Sequence, residues 1–376
     1  MDFSWDSLDS AVVMNPCYLQ HDRERFLTIL EHSNALPAHL WLSTSGSTVQ
    51  KWVGLAKSAI LASAKSVNDH LSSDQADIWI NALPYFHVGG MGIYARADLS
   101  RATVFDFTEG WKRKWDASAF VDFIRLKRGT LTSLVPAQLH DLIKLNRGPP
   151  SSLRALIIGG GELQPLLYEK AVELGWPVLP SYGLTECASQ VATAGLESWT
   201  HGKYPDLQLL NHIQARVQED RLAFSGSSLL SLYAFVEGKE IRFVDPKVNG
   251  WYMSEDRGSI DQRCVTVAGR ADSMIKVSGE NVDLFRLNKF LQTLAMQMSV
   301  ETEVVLFAMP DDRLGKCVHM AAECVNENNV SALVDAFNLK VLPFEKIRKT
   351  HCIMPLPRSP LGKIRPFSNS IEHSLE

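Results

Sequence analysis

The chain reads as an α/β protein. A large N-terminal domain of mostly parallel sheet flanked by helices, plus a small β module, is followed by a small, mobile α+β C-terminal domain. Two observations predict this. Between residues 40 and 190, short apolar runs alternate with amphipathic stretches and end in glycine- or hydroxyl-rich loops, the pattern of parallel strands with functional loops at their ends. After about residue 205 the texture changes to short strands separated by turn residues, closer to an antiparallel module. At 376 residues there is room for one large and one smaller domain, and the boundary is placed at 271/272, giving domains 1–271 and 272–376.

Residues 1–40 are a lead-in with one helix, Asp22 to Ser33. Leu42 to Thr44 is a strand end that runs into a hydroxyl-rich loop. Gly54 to Leu71, apolar at Leu55, Ile60, Leu61 and Val67, predicts an amphipathic helix. Ile78 to Leu83 is a buried strand delivering Pro84-Tyr-Phe-His-Val-Gly-Gly-Met-Gly92, read as a loop with one histidine that could line a pocket. Ala102 to Phe107 and Leu131 to Pro136 are further strands, the second followed by a helix over Ala137 to Leu145 begun after proline. Leu153 to Ile158 is a strongly apolar strand that ends in Gly159-Gly-Gly-Glu162, with its helix from Pro165 to Leu174. Pro177 to Pro180 leads into Ser181-Tyr-Gly-Leu-Thr-Glu186. In the β module, Leu222 to Phe224, Leu229 to Val236 and Glu240 to Val244 are short strands. Two apolar strands then flank Gly269-Arg-Ala-Asp272. The C-terminal domain holds a helix over Leu284 to Met296, a strand Glu303 to Ala308 and a helix over Ser331 to Phe337.

Composition narrows the function. Hydrophobic residues at 45% and charged residues at 21% describe a globular protein with a sizeable core. The net charge of -4 and the lack of a basic run argue against nucleic acid as a partner. The acidic N-terminus has neither the basic flank nor the apolar stretch of a signal peptide, and no apolar run approaches the roughly 20 residues of a membrane span. The cysteines are scattered singly and form no CxxC, which fits reduced thiols in the cytoplasm.

Thr44, Ser45, Gly46, Ser47 and Thr48 pack hydroxyl groups around one glycine, and Lys51 follows. Hydroxyls, main-chain N–H groups and a lysine can surround phosphate oxygens, although such a run alone is also an ordinary Ser/Thr turn. The P-loop pattern GxxxxGK[ST] is absent. His87 has an equally plain reading as a hydrogen-bonded core histidine.

Taken together with Tyr182-Gly-Leu-Thr-Glu186, Trp251-Tyr-Met-Ser-Glu-Asp256, Gly269-Arg-Ala-Asp272 and Gly362-Lys363, the hydroxyl loop resembles the motif series of the adenylate-forming superfamily: acyl-CoA synthetases, adenylation domains and luciferases. The resemblance covers roughly residues 40–366. Leu83 to Ile93, Ser133 to Leu139 and Tyr182 to Gln190 look most like the 2-succinylbenzoate–CoA ligases of menaquinone synthesis. It implies two half-reactions: a carboxylate attacks the α-phosphate of ATP and releases pyrophosphate, then the thiol of coenzyme A displaces AMP.

The resemblance also implies roles. Thr44 to Thr48 and Lys51 would hold the departing phosphates, Glu186 would ligate Mg²⁺ and Thr185 would touch the α-phosphate. Asp256, assisted by Arg270, would hold the ribose. Gly159, Gly160 and Gly161 would lie against adenine, with Tyr182 and Gly183 beside it. Lys363 would bridge α-phosphate and carboxylate. His87, Gly89 and Gly90 would border the acyl pocket and thiol tunnel, and Ser189 and Gln190 its aromatic end. Asp272 would be the hinge of a swinging domain that presents first Lys363 and then the Lys276 to Asn281 loop, where Gly279 would admit the pantetheine arm. Arg96 is the candidate partner of a second substrate carboxylate. The expected ligands are thus ATP, Mg²⁺, coenzyme A and an aromatic dicarboxylic acid, with the oligomeric state open and a homodimer one option.

The sequence departs from the family at Val49-Gln50, where Gly-x-Pro is usual, and at Ser254-Glu255, where Thr-Gly is usual. Alternatives are another aryl- or acyl-CoA ligase and a non-catalytic nucleotide-binding homologue.

Overall fold

A computed structural model describes residues 4–16, 36–43, 51–110, 112–237, 240–359 and 364. The expected helix over Asp22 to Ser33, the hydroxyl loop Thr44 to Thr48 and Lys363 lie outside them. Contacts divide the chain into two compact units, residues 1–254 with 259–266, and residues 255–258 with 267–376.

The first unit begins with β1 (Ala11–Val13), β2 (His39–Ser43) and β3 (Lys51–Ala56). Helix α1 is Lys57–Leu71, so the helix expected from Gly54 starts three residues later. Trp52, Val53 and Leu55 are fully buried, and aromatic and β-branched residues there favour a strand that pairs with β2. Strand β4 (Ile78–Asn81) is followed by α2 (Val88–Ser100). The glycine-rich stretch expected as a loop is therefore a loop only as far as His87, the N-cap; Gly89, Gly90 and Gly92 are helical. Then come β5 (Thr103–Asp106), α3 (Ala117–Lys127), β6 (Leu131–Leu134), α4 (Pro136–Lys144), β7 (Ala155–Ile158), α5 (Pro165–Glu173) and β8 (Val178–Leu184). Helices α4 and α5 each open on proline, whose missing N–H costs nothing in a first turn. Asp116 caps α3 by accepting from the Ala119 amide at 2.7 Å.

Strands β5, β4, β6, β7 and β8 pair in parallel in that order. β6 and β7 are buried along their whole length, as strands covered on both faces must be. Val67 and Leu71 of α1 and Ile93 and Ala97 of α2 pack with Trp79, Leu131, Ala155, Ile157 and Leu179 of the sheet. At the opposite end of the strands, Arg154 donates from Nε (2.8 Å) and Nη2 (2.6 Å) to Asp77. Burial opposes that charge, but the bonds from Arg154 and Thr130 outweigh it and hold the carboxyl below its usual range.

After β8 the chain reverses through a short 3₁₀ turn, Thr185–Cys187, into β9 (Ser189–Thr193), which runs antiparallel to it. Strands β10 (Leu207–Leu209), β11 (Ile213–Gln218) and β12 (Arg221–Gly226) follow, then β13 (Leu232–Glu237), β14 (Glu240–Val244), β15 (Tyr252–Asp261) and β16 (Cys264–Arg270). The β module is not free-standing. Strands β9, β10, β16, β15, β12 and β11 extend the parallel half into one eleven-stranded sheet, whereas β13 and β14 complete a five-stranded sheet with β1–β3.

The second unit holds the hairpin β17 (Met274–Val277) and β18 (Glu280–Asp283), helix α6 (Leu284–Gln297), strands β19 (Val304–Asp311) and β20 (Gly315–Ala322), helix α7 (Ser331–Asn338) and β21 (Ile347–Cys352). Leu287, Leu291 and Leu294 on one stripe of α6 pack on Val304, Leu306, Val318 and Met320. Asp283 caps α6, accepting from the amides of Phe285 and Arg286 at 2.9 and 3.1 Å. Among the described residues no helix is long and apolar enough to cross a membrane.

Candidate active site

The parallel strands place the candidate residues of the first unit. From β4 the chain goes to β5 on one side and then to β6 on the other, so the strand order reverses between β4 and β6. In such sheets the crevice at the carboxyl ends, where the order reverses, is where ligands bind. His87 follows β4, Gly159, Gly160 and Gly161 follow β7, and Tyr182, Gly183, Thr185 and Glu186 lie at and just beyond the end of β8. The ring of Tyr182 leans on Phe224 with centroids 6.2 Å apart.

Glu186 sits in the turn between β8 and β9, where its carbonyl accepts from the Leu230 amide at 2.8 Å. Its side chain is nearly buried. Lys51 Nζ lies 3.3 Å from Oε1 and 4.2 Å above the ring of Tyr233. The Tyr233 hydroxyl donates to the same Oε1 at 2.9 Å and meets the Tyr252 hydroxyl at 3.0 Å. Burial and then the Glu186 charge push the Tyr233 phenol far up, so it stays a proton donor. Lys51 and Glu186, 135 residues apart in the chain, are thus brought together.

A second constellation joins α2 to β9. Arg96 is 1% exposed, and its guanidinium carbon stands 5.4 Å from the Trp79 ring. Among the described residues its Nε and Nη1 have no hydrogen-bond partner. Burial pulls its pKa down to about 10, which still leaves it charged at neutral pH. Gly92, one turn earlier on the helix, leaves room here: a Cβ would lie 3.2 Å from Arg96 Nη2 and 3.7 Å from Ser189 Oγ. Ser189 and Gln190 are buried on β9, and Thr193 donates to the Gln190 side-chain carbonyl at 2.7 Å. His87 packs against Phe86, ring centroids 5.0 Å apart.

Asp256, Arg270, Asp272, Lys276 and Gly279 fall in the second unit. Arg270 is 3.5 Å from Asp256 Oδ1 and donates to both oxygens of Asp272 at 2.8 and 2.7 Å. The hydrogen bonds from Arg270 to Asp272, followed by the nearby acidic charges, raise an already high arginine pKa. Lys276 on β17 opposes Asn281 on β18, and Gly279 is in the turn between them.

With this geometry in place, residues 39–221 match the profile of the AMP-binding enzyme family. That stretch is similar to AMP-binding enzymes. The 2-succinylbenzoate–CoA ligase of Staphylococcus epidermidis is 25% identical to it over 335 residues, covering 86% of this chain and 67% of that one. The enzyme of the same name from Enterococcus faecalis is 25% identical over 336 residues, covering 85% and 67%. The chain therefore spans about two thirds of the length of these relatives. The o-succinylbenzoate CoA synthetase (MenE) of Bacillus subtilis in complex with OSB-AMP superposes with a TM-score of 0.70 at 23% identity, covering 86% of this chain and 67% of that one. A variant of E. coli MenE with bound OSB-AMS gives the same TM-score and identity over 90% and 68%. The fold is that of these MenE structures.

Within the first unit, Tyr233 and Tyr252 are the residues that sequence reasoning missed. Tyr252 stood inside a quoted motif without a role, and the one signal for Tyr233 was an aromatic residue with a polar tip in an otherwise apolar strand. Among the described residues no group of three His, Cys, Asp or Glu forms a metal cage. A single carboxylate, Glu186, with Oε1 taken and no hydrogen bond to Oε2 among the described residues, suits Mg²⁺, which binds through one or two carboxylates and otherwise through substrate phosphates.

Proposed function

We propose that this protein is an ATP-dependent acid–thiol ligase that activates 2-succinylbenzoate as its acyl-adenylate and passes the acyl group to coenzyme A. The observation that carries the substrate assignment is Arg96, a buried guanidinium near Ser189 whose Nε and Nη1 have no partner among the described residues, in the stretch similar to AMP-binding enzymes. A buried cation left without an anion is costly, and a second carboxylate on the acid would complete it with charge-assisted hydrogen bonds.

The first step sets a carboxylate oxygen against the α-phosphorus of ATP; a P–O bond forms and the bond to pyrophosphate breaks. An anion must approach a polyanion, so the site has to neutralise charge and hold the line of attack. Lys51, with the hydroxyl loop, would take the departing phosphates, and Thr185 the α-phosphate. Glu186 would hold Mg²⁺, which when bound supplies positive charge to the phosphate oxygens. Tyr182 and Gly159 to Gly161 would cradle adenine, and Asp256 and Arg270 the ribose. Lys363, an ammonium on a flexible stem, suits a group that must arrive for adenylation and leave before thioester formation. The C-terminal domain from Asp272 would then swing to present Lys276 and Gly279 to the pantetheine arm. We place the reaction in the cytoplasm.

The test is to incubate the protein with Mg-ATP, coenzyme A and 2-succinylbenzoate and follow AMP and thioester by mass. Benzoate and a fatty acid serve as rival acids, and Lys363→Ala as the control. Thioester from 2-succinylbenzoate alone, lost in the control, is the expected result. AMP with no thioester would point to another acceptor, and no AMP with any acid to a non-catalytic nucleotide-binding protein.

Arg96→Met keeps the volume and removes the charge. It is expected to raise KM for 2-succinylbenzoate about 100-fold, in keeping with 2–5 kcal/mol for breaking a hydrogen-bonded charge pair, while KM for benzoate analogues moves little. Equal effects on both acids would remove the assignment.

A further inference from the structure

An ionised carboxylate only accepts hydrogen bonds, and a phenol has one proton to give. Tyr233 Oη is 2.9 Å from Glu186 Oε1 and 3.0 Å from Tyr252 Oη. Its proton goes to the carboxylate, so Tyr252 donates to Tyr233, and the hydroxyls form a relay that ends on Oε1. Lys51 Nζ adds a second donor to that same oxygen at 3.3 Å.

The backbone explains the convergence. In the pairing of β13 with β3, Tyr233 opposes Val53 and Phe235 opposes Lys51, which makes Lys51 and Tyr233 diagonal neighbours on one face. Tyr252 enters from the start of β15, and Glu186 from the turn after β8. Both tyrosines are 8% exposed. Phenylalanine at both positions would fill the same space without taking two hydroxyls out of water, so the polar pair has to be accounted for by what it holds.

We infer that Tyr233 and Tyr252 are positioning residues for Glu186: the relay pins one carboxylate oxygen and so presents the other to the divalent cation that accompanies ATP. Without the relay only Lys51 holds Oε1, at the longer distance of 3.3 Å, and the carboxylate turns more easily. The inference rests on the ligase reading above and adds to it two residues that act through Glu186.

The test uses the full chain with Tyr233→Phe, Tyr252→Phe and the double variant. Mn²⁺ affinity in the presence of ATP is read by electron paramagnetic resonance, beside ATP affinity in EDTA, thermal unfolding, and the Mg²⁺ dependence of AMP formation. Tyr233→Phe is expected to weaken Mn²⁺ binding and raise half-saturating Mg²⁺ by about tenfold, the lower end of the effect of removing a ligand's outer partner. ATP binding without metal and the unfolding midpoint should stay near wild type. Tyr252→Phe should act in the same direction but less, and should add nothing in the Tyr233→Phe background, because it acts through that hydroxyl. If Tyr233→Phe does not fold, a weakened Mn²⁺ affinity in folded Tyr252→Phe supports the relay and an unchanged one overturns it. Unchanged Mn²⁺ affinity in the variants, or additive effects, would overturn the inference while leaving a wild-type ligase in place. A wild type that neither binds Mn²⁺ with ATP nor makes AMP would instead overturn the ligase reading.

Discussion

Glu186→Gln is expected to lower AMP formation by about 10²–10³-fold at saturating ATP, comparable to the loss of one electrostatic stabiliser of the transition state, because on the proposed reading Glu186 holds the Mg²⁺ that offsets the phosphate charge. Glutamine keeps the length and the oxygen that Lys51 and Tyr233 address, but not the charge. On the proposed ligase reading the polyanion would lose a metal ligand, and Lys51 would lose its counter-charge at 3.3 Å. Stability should change by no more than about 1 kcal/mol, because Lys51 is 26% exposed and can turn to water. The check is a rate measurement across Mg²⁺ concentrations with an unfolding curve beside it. A wild-type rate in this variant would remove Glu186 from the reaction.

Gly183→Ala is expected to be the most damaging single methyl group in the first unit. A Cβ there would stand 2.0 Å from the Ser189 carbonyl oxygen, 2.7 Å from its carbon and 2.9 Å from Gln190 Cα. All three are backbone atoms of the returning strand, so no flexible side chain can give way. The ladder between β8 and β9 already shifts register at Tyr182/Gly183, and the turn it closes has Ala188 and Ser189 at φ 54° and 109°. Pushing the strands apart would displace Glu186, Ser189 and Gln190 together. The expected cost is about 3 kcal/mol, the upper part of the overpacking range, or roughly 6–12 °C in the unfolding midpoint, with loss of AMP formation. Gly195→Ala is the matched control, since a Cβ there meets nothing within 4 Å. Identical unfolding curves for the two variants would refute the packing argument.

Much of the fold was legible because each signal was local. Continuous apolar runs such as Ala155 to Ile158 cannot be anything but buried, and proline at Pro136 and Pro165 fixes where helices begin. Expectations failed where tertiary pairing overrode local pattern. The stretch from Gly54 to Ala56 fits a helical period, but its neighbours Trp52 and Val53 are claimed by β2 and β13, so the helix waits until Lys57. Gly89 and Gly90 read as loop on glycine content, yet the helix begun at His87 takes them in.

The sequence by itself supplied the motif series: a hydroxyl loop, Glu186, Asp256, Arg270 and Lys363 in an order that resembles the adenylate-forming enzymes. It also determined the parallel half of the sheet, because strand and helix periods are properties of neighbouring residues. Only the tertiary structure decided what these residues meet. That Lys51, Tyr233 and Tyr252 converge on Glu186 depends on strand register between distant segments: 135 residues separate Lys51 from Glu186 and 47 separate Tyr233 from it. That Arg96 is buried near Ser189, with Nε and Nη1 unpartnered among the described residues, depends on how α2 lies against β9. Register and helix packing are set by the summed burial of many distant side chains, and no local stretch of sequence carries that sum.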